Sequence, residues 1–214
     1  MASDCAAVMT HLGFGERFSI VAHDRGARIA HKLCVDYPER VEKAMLLDIA
    51  PTLAMYERTD REFATAYWHW FFLIQPAPFP ENLLMGNVED FQGRFFGGLQ
   101  YNQASFIHPA NLRLYMAQFG AGNGEGVHAM CEDYRAAATI DLQEARADLA
   151  AGRRIRCPIR VLWGRKGVLE ERFDCLALWR EVSEGEVEGE AVESGHYIAE
   201  EVPDVLLRHI REFF

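Results

Sequence analysis

The run Ser19-Ile20-Val21-Ala22-His23-Asp24-Arg25-Gly26-Ala27-Arg28 decides how this chain is read. Its first half continues an apolar stretch that begins at Phe18, as a buried strand does. From Gly26 to Tyr37 the period changes to that of a helix, with Ile29, Ala30, Leu33 and Cys34 on one face. One reactive residue, Asp24, stands at the junction, with Ala22 two positions before it and Gly26 two after. That spacing predicts a nucleophile elbow, in which small neighbours let the backbone turn sharply and lift a single side chain above the sheet. The alternative reading makes Asp24 a helix N-cap, a role that aspartate fills well at the positive end of the dipole.

Working outward, residues 4–12 read as a helix with Ala7, Val8 and Leu12 on one face, and Gly13 to Gly15 turn the chain into the strand. Pro38 stops the elbow helix, and Ala44-Met45-Leu46-Leu47-Asp48 supplies a second buried strand. Two βα repeats imply a parallel sheet. Then the texture changes. Sixteen of the twenty-five aromatics fall in residues 56–134, with Pro76, Pro78, Pro80 and a glycine-rich stretch from Gly120 to Gly126, which predicts a mostly helical insert. The glycines lack the Lys-Ser/Thr ending of a phosphate loop and read as a flexible connection. A helix over 134–149, a strand over 159–163, a helix over 176–182, a short strand over 190–193 and a closing helix over 203–214 complete the pattern. The expected organisation is a partial α/β core over 1–51, a helical cap over 52–134 and the rest of the core over 135–214.

Composition narrows the function classes. The 214 residues are 50% apolar and 25% charged, with a net charge of -10, the balance of a folded domain that repels phosphate backbones and anionic lipid. Neither nucleic acid nor a membrane is an expected partner, and the short basic run Arg153, Arg154, Arg156 reads as a solvated helix end. Cys5, Cys34, Cys131, Cys157 and Cys175 form an odd set without CxxC spacing, which suggests neither a disulfide framework nor a zinc site. The start, Met1-Ala2-Ser3-Asp4-Cys5, has neither a basic nor a long apolar segment, so a cytoplasmic location is expected.

Carboxylate at an elbow points to a definite chemistry. It attacks a saturated carbon bearing a leaving group and forms an ester on the enzyme, which water must then cleave. A base is needed, and His196, in Ser194-Gly195-His196 just after the last predicted strand, sits where a base would lie. Asp48, closing the second strand, reaches the same sheet edge and would orient that imidazole. Arg25 and Arg28, in the first turns of the elbow helix, suit a small anionic substrate. No metal or other cofactor is called for.

On these residues, together with Leu47-Asp48-Ile49-Ala50-Pro51-Thr52, Tyr67-Trp68-His69-Trp70, Asp133-Tyr134-Arg135 and Leu162-Trp163-Gly164, the chain resembles the haloacetate (fluoroacetate) dehalogenase family of the α/β-hydrolase superfamily. Relatives that act on haloalkanes or epoxides usually carry tryptophan after the nucleophile; arginine here favours the haloacid branch. The resemblance implies Asp24 as nucleophile, His196 as base, Asp48 as its partner, and Arg25 and Arg28 as the clasp for the substrate carboxylate. It also implies His69, Trp70 and Tyr134 as donors to the departing halide. Full members of the superfamily carry further strands and a loop before the segment that begins here. The expectation is therefore that the nucleophile strand forms a sheet edge, prone to self-association as a homodimer, and that one oxyanion-hole donor is missing, a loss of about 100- to 1,000-fold in rate. Two rivals stand beside dehalogenation: a non-catalytic remnant or binding module, and an epoxide hydrolase using Tyr67 and Tyr134 as acids.

Overall fold

The computed structural model describes residues 1–87, 90, 91, 93, 106–120 and 124–214. Four parallel strands, β1 (Phe18–His23), β2 (Val41–Leu47), β3 (Ile159–Gly164) and β4 (Val187–Val192), form one sheet in the order β1-β2-β3-β4. β1 pairs with β2 from Phe18 opposite Val41 to His23 opposite Leu47, and β2 continues onto β3. β2 is apolar on both faces because both are covered. Ala44 and Leu46 pack with α1 (Ala2–His11) and α2 (Asp24–Asp36), against a cluster that includes Ala27, Ala30, Leu33 and Trp179. Met45 and Leu47 face Leu162, Val192, Ile198, Leu206 and Phe213, of which the last three come from α12 (Ile198–Glu201) and α13 (Pro203–Phe213). β1 lies at one edge of this sheet. Phe18, Ile20 and Ala22 pack inward while Val21, pointing the other way, is 42% exposed.

The chain divides into two compact units, one of residues 1–58 with 143–214, the other of residues 59–142. In the first lie also α3 (Thr52–Glu57), α10 (Val168–Arg172) and α11 (Cys175–Glu181), and most of α9 (Ile140–Ala150). The second holds α4 (Arg61–Ala66), α5 (Trp68–Leu73), α6 (Phe79–Met85), α7 (Pro109–Gly120) and α8 (Glu125–Ala138). The boundaries differ from the expected 51/52 and 134/135 for local reasons. Leu53 and Met55 of α3 are buried, and Thr52 accepts a hydrogen bond from Arg28, which keeps that helix with the sheet. Position 134 falls inside α8, all of which lies in the second unit.

Two element predictions need correction. The helix expected over 134–149 is two helices, α8 and α9, broken at Thr139. The Thr139 hydroxyl donates back to the Arg135 carbonyl, and its backbone leaves the helical region at φ -128°, ψ -88°. β4 begins at Val187, three residues before the expected start, and Gly189 within it lets the neighbouring strand approach closely: a Cβ there would stand 1.8 Å from the Val161 carbonyl oxygen. The predicted flexible connection lies partly outside the described residues; Gly124, with φ 98°, precedes α8. Among the described residues no helix is long and apolar enough to cross a membrane.

Candidate active site

β1 delivers the chain to His23 and α2 starts at once with Asp24, whose φ of 47° puts a non-glycine residue in the left-handed region. Such a conformation costs about 1–3 kcal/mol and persists where the surroundings impose it. The N-cap residue of α2 is His23, and no side chain caps the helix. Asp24 therefore is not spent on capping; its Oδ2 lies 3.8 Å from Nε2 of His196. Gly26 is exposed and its absent Cβ would meet nothing within 4 Å, so crowding among the described residues does not require glycine at that position.

β2 ends at Leu47 and Asp48 follows with φ 49°, the other non-glycine residue in the left-handed region among those described. Its backbone N–H donates to the Leu162 carbonyl at 2.7 Å, extending the β2–β3 ladder by one rung. The side chain is 4% exposed and fully engaged: Oδ1 accepts from the Gly164 N–H at 2.8 Å and Oδ2 accepts from Nδ1 of His196 at 2.6 Å. Donation from Nδ1 leaves Nε2 as the atom aimed at Asp24, the tautomer a base in this place requires.

His196 sits in the loop between β4 and α12, and its main chain is tied from several directions. Glu201 accepts the Gly195 N–H on Oε2 at 2.7 Å and the Tyr197 N–H on Oε1 at 3.0 Å. The carbonyl of His196 accepts from Nε2 of His23 at 2.8 Å, and the two imidazoles lie 4.6 Å apart. Gly164 makes room for the loop, since a Cβ there would stand 2.1 Å from the Gly195 carbonyl oxygen. His23 and Glu201 received no role in the sequence reading. Only the adjacency of His23 to Asp24, and a carboxylate one helical turn beyond the loop, could have pointed to them.

The electrostatics follow from this geometry. Burial favours neutral His196, but the Asp24 and Asp48 carboxylates outweigh it and raise its pKa to about 10. Burial likewise disfavours charge on Asp24, yet His196, Arg28 and His23 hold its carboxyl well below the usual range. Both shifts favour the charged forms of Asp24 and His196 at neutral pH. His23 is lowered by burial and by the neighbouring His196 charge.

Of the two arginines, Arg28 donates from one terminal nitrogen to the Ala50 carbonyl at 3.1 Å and the Thr52 hydroxyl at 2.9 Å, which anchors its guanidinium to the β2–α3 loop. Arg25 is half-buried. In the helical unit, His69, Trp70 and Tyr134 share an aromatic cluster: His69 meets Tyr134 edge-on at 6.0 Å, and Tyr67 lies 5.5 Å from His69 and 5.4 Å from Trp70. Trp70 and Tyr134 are buried. The same unit contains an unforeseen ion pair, in which Arg135 grips both oxygens of Glu81 at 2.7 and 3.1 Å.

A parallel sheet with an acid on a left-handed turn after one strand, a histidine in the loop after another, and a buried carboxylate bound to that imidazole is an arrangement of the α/β-hydrolase kind. Comparison with known proteins agrees. The sequence profile of the alpha/beta hydrolase fold family matches residues 1–181. The fluoroacetate dehalogenase of Burkholderia sp is 37% identical over 213 residues, covering 100% of this chain and 68% of that protein. The soluble epoxide hydrolase of Corynebacterium sp. (strain C12) is 27% identical over 217 residues, covering 100% of this chain and 72% of that protein. A crystal structure assigned to the alpha/beta hydrolases, from Nostoc sp PCC 7120, superposes with a TM-score of 0.92 at 46% identity, covering 100% of this chain and 71% of that one. The chain belongs to the α/β-hydrolase superfamily, in its haloacetate-dehalogenase-like family.

Proposed function

We propose that this chain carries a haloacetate dehalogenase-like site, in which Asp24, His196 and Asp48 convert a short 2-haloacid and water to a 2-hydroxyacid, halide and a proton. The observation that carries the reading is Asp24 on its left-handed turn, 3.8 Å from an imidazole whose other nitrogen is bound at 2.6 Å by a buried carboxylate. An Asp24 oxygen attacks the saturated α-carbon; the carbon–halogen pair leaves as halide, and an ester joins the substrate to Asp24. Ester formation removes the Asp24 charge, one of the two carboxylates that hold the His196 proton. The His196 pKa then falls toward the ordinary imidazole range, its Nε2 proton passes to solvent as the released proton, and the neutral ring becomes competent to take a proton from water. That water adds to the ester carbonyl of Asp24, and collapse releases the hydroxyacid and restores the carboxylate.

Arg25 and Arg28 are proposed to hold the substrate carboxylate. Arg28 serves from an anchored position, its charge already acting on Asp24. For the departing halide, His69, Trp70 and Tyr134 are carried as proposed donors on the family resemblance. Fluoride leaves only if its lost hydration is replaced, and an imidazole N–H, an indole N–H and a phenol O–H supply that. The test is halide release from fluoroacetate and chloroacetate by the purified chain, with Asp24→Asn as control. Release that is lost in the variant supports the reading; a folded, soluble chain without release favours the binding-module alternative. The 27% identical epoxide hydrolase keeps one other reaction in view, because the same three residues would open an epoxide. Turnover of a neutral epoxide without haloacid turnover would select it.

A further inference from the structure

We propose that His23 and Glu201 form a main-chain clamp on His196, acting as positioning residues that aim the base at Asp24. The proposal rests on the assignment of His196 as that base. His196 lies in a loop, so no ladder or helix fixes its backbone, yet three consecutive residues there have their main chain tied by two side chains. Glu201 takes the Gly195 and Tyr197 N–H groups on separate oxygens, and the Nε2–H of His23 donates to the carbonyl of His196 itself. The Tyr197 bond alone would be an ordinary cap of α12; the Gly195 bond, three residues before that helix begins, is not required by capping. An ionised carboxylate accepting two main-chain donors makes strong, directional bonds.

His23 adds a link that Glu201 lacks. It directly precedes Asp24 in the chain, so one residue braces the backbone of the base while fixing where the nucleophile starts. Donation from Nε2 specifies its tautomer, and burial beside the His196 charge favours the neutral ring, so His23 serves as donor without competing for the Asp24 charge. The groups that bear electrostatically on this pair of rings are Asp24 and Asp48, with the Tyr197 ring edge-on to both.

The test uses the full chain and two readouts. In substrate-free protein labelled with 15N-histidine, the low-field proton on Nδ1 of His196, bound to Asp48, reports whether the ring is held. In turnover, kcat and KM for fluoroacetate report whether it is aimed. His23→Phe keeps a ring without the donor, His23→Gln returns an N–H near the same place, and Glu201→Ala removes both acceptors. The expected result is loss of the Nδ1–H signal in His23→Phe and Glu201→Ala, and a fall in kcat of roughly 10- to 100-fold with little change in KM. Both readouts recover in His23→Gln. A signal and a kcat that match the parent in both disruptive variants would overturn the clamp. If Glu201→Ala fails to fold, Glu201→Gln, which can accept only one of the two N–H groups without a clash, is read instead. If the parent releases no halide, the dehalogenase reading fails while the resonance still decides the clamp.

Discussion

The two compact units hold their candidate functional side chains by different physics. In the α/β unit, Asp24, Asp48 and His196 are fixed by charge and by hydrogen bonds to main chain at the carboxyl ends of parallel strands. In the helical unit, His69, Trp70 and Tyr134 are held by packed rings, with the Glu81–Arg135 pair as the main buried charge contact. A hydrogen-bonded ionic site tolerates no change of atom type, whereas a packed aromatic site tolerates changes that keep volume. Substitutions in the first unit should therefore abolish chemistry, and those in the second should tune it.

Asp24→Asn gives the largest expected effect. The amide is a poor nucleophile, and halide release measured with an ion-selective electrode should fall by about 10,000-fold or more. Next comes His196→Gln, which spares ester formation but removes the base. A single equivalent of halide should appear in a burst, steady turnover should fall by about 1,000-fold or more, and intact-mass spectrometry should find the acid attached to Asp24. Turnover without an adduct in that variant would break the assignment of His196.

A smaller effect should follow in the helical unit from Trp70→Phe. An aromatic ring of smaller volume replaces the indole at this buried position, and the N–H is lost. Fluoride release should drop roughly 10- to 100-fold, and chloride release by less, because chloride is the better leaving group and relies less on donors. Equal losses for both halides would remove Trp70 from the proposed halide set.

The same contrast explains what the sequence could tell. The elbow was legible because a strand end, one acid and a helix start lie within a few residues, and Asp48 follows directly on a strand whose apolar run is plain, while His196 comes four residues after the weakly apolar β4. Two things were not legible. The tie between Glu201 and Gly195 depends on how a loop folds back on itself, for which no period exists. Glu81 and Arg135 are far apart in sequence, on α6 and α8, and nothing in either segment marks them as partners.

The smallest effects are pH limbs, and each unit should own one. His196 binds its proton more tightly folded than unfolded. Its stabilisation is complete below the unfolded value of 6.5 and is lost as pH climbs toward about 10. Glu81 works in the opposite sense. The Arg135 hydrogen bonds outweigh burial and hold its pKa down to about 2, so its contribution is present above the unfolded value of 4.5 and fades as pH falls toward 2. Asp24, also depressed, adds to the acid side, with most of its loss at still lower pH. Melting temperature followed by scanning fluorimetry from pH 3 to 10 (a range set by these values) should slope down at both ends by a few degrees. His196→Gln should flatten the alkaline limb and leave the Glu81 part of the acid one. Glu81→Gln should lower the whole curve, because Arg135 loses its buried partner, and should flatten the acid limb while the alkaline slope stays. An alkaline slope that survives His196→Gln would mean that the ion pair with Asp24 and Asp48 does not form in the resting protein, and the proposed release of the base by esterification would lose its physical cause.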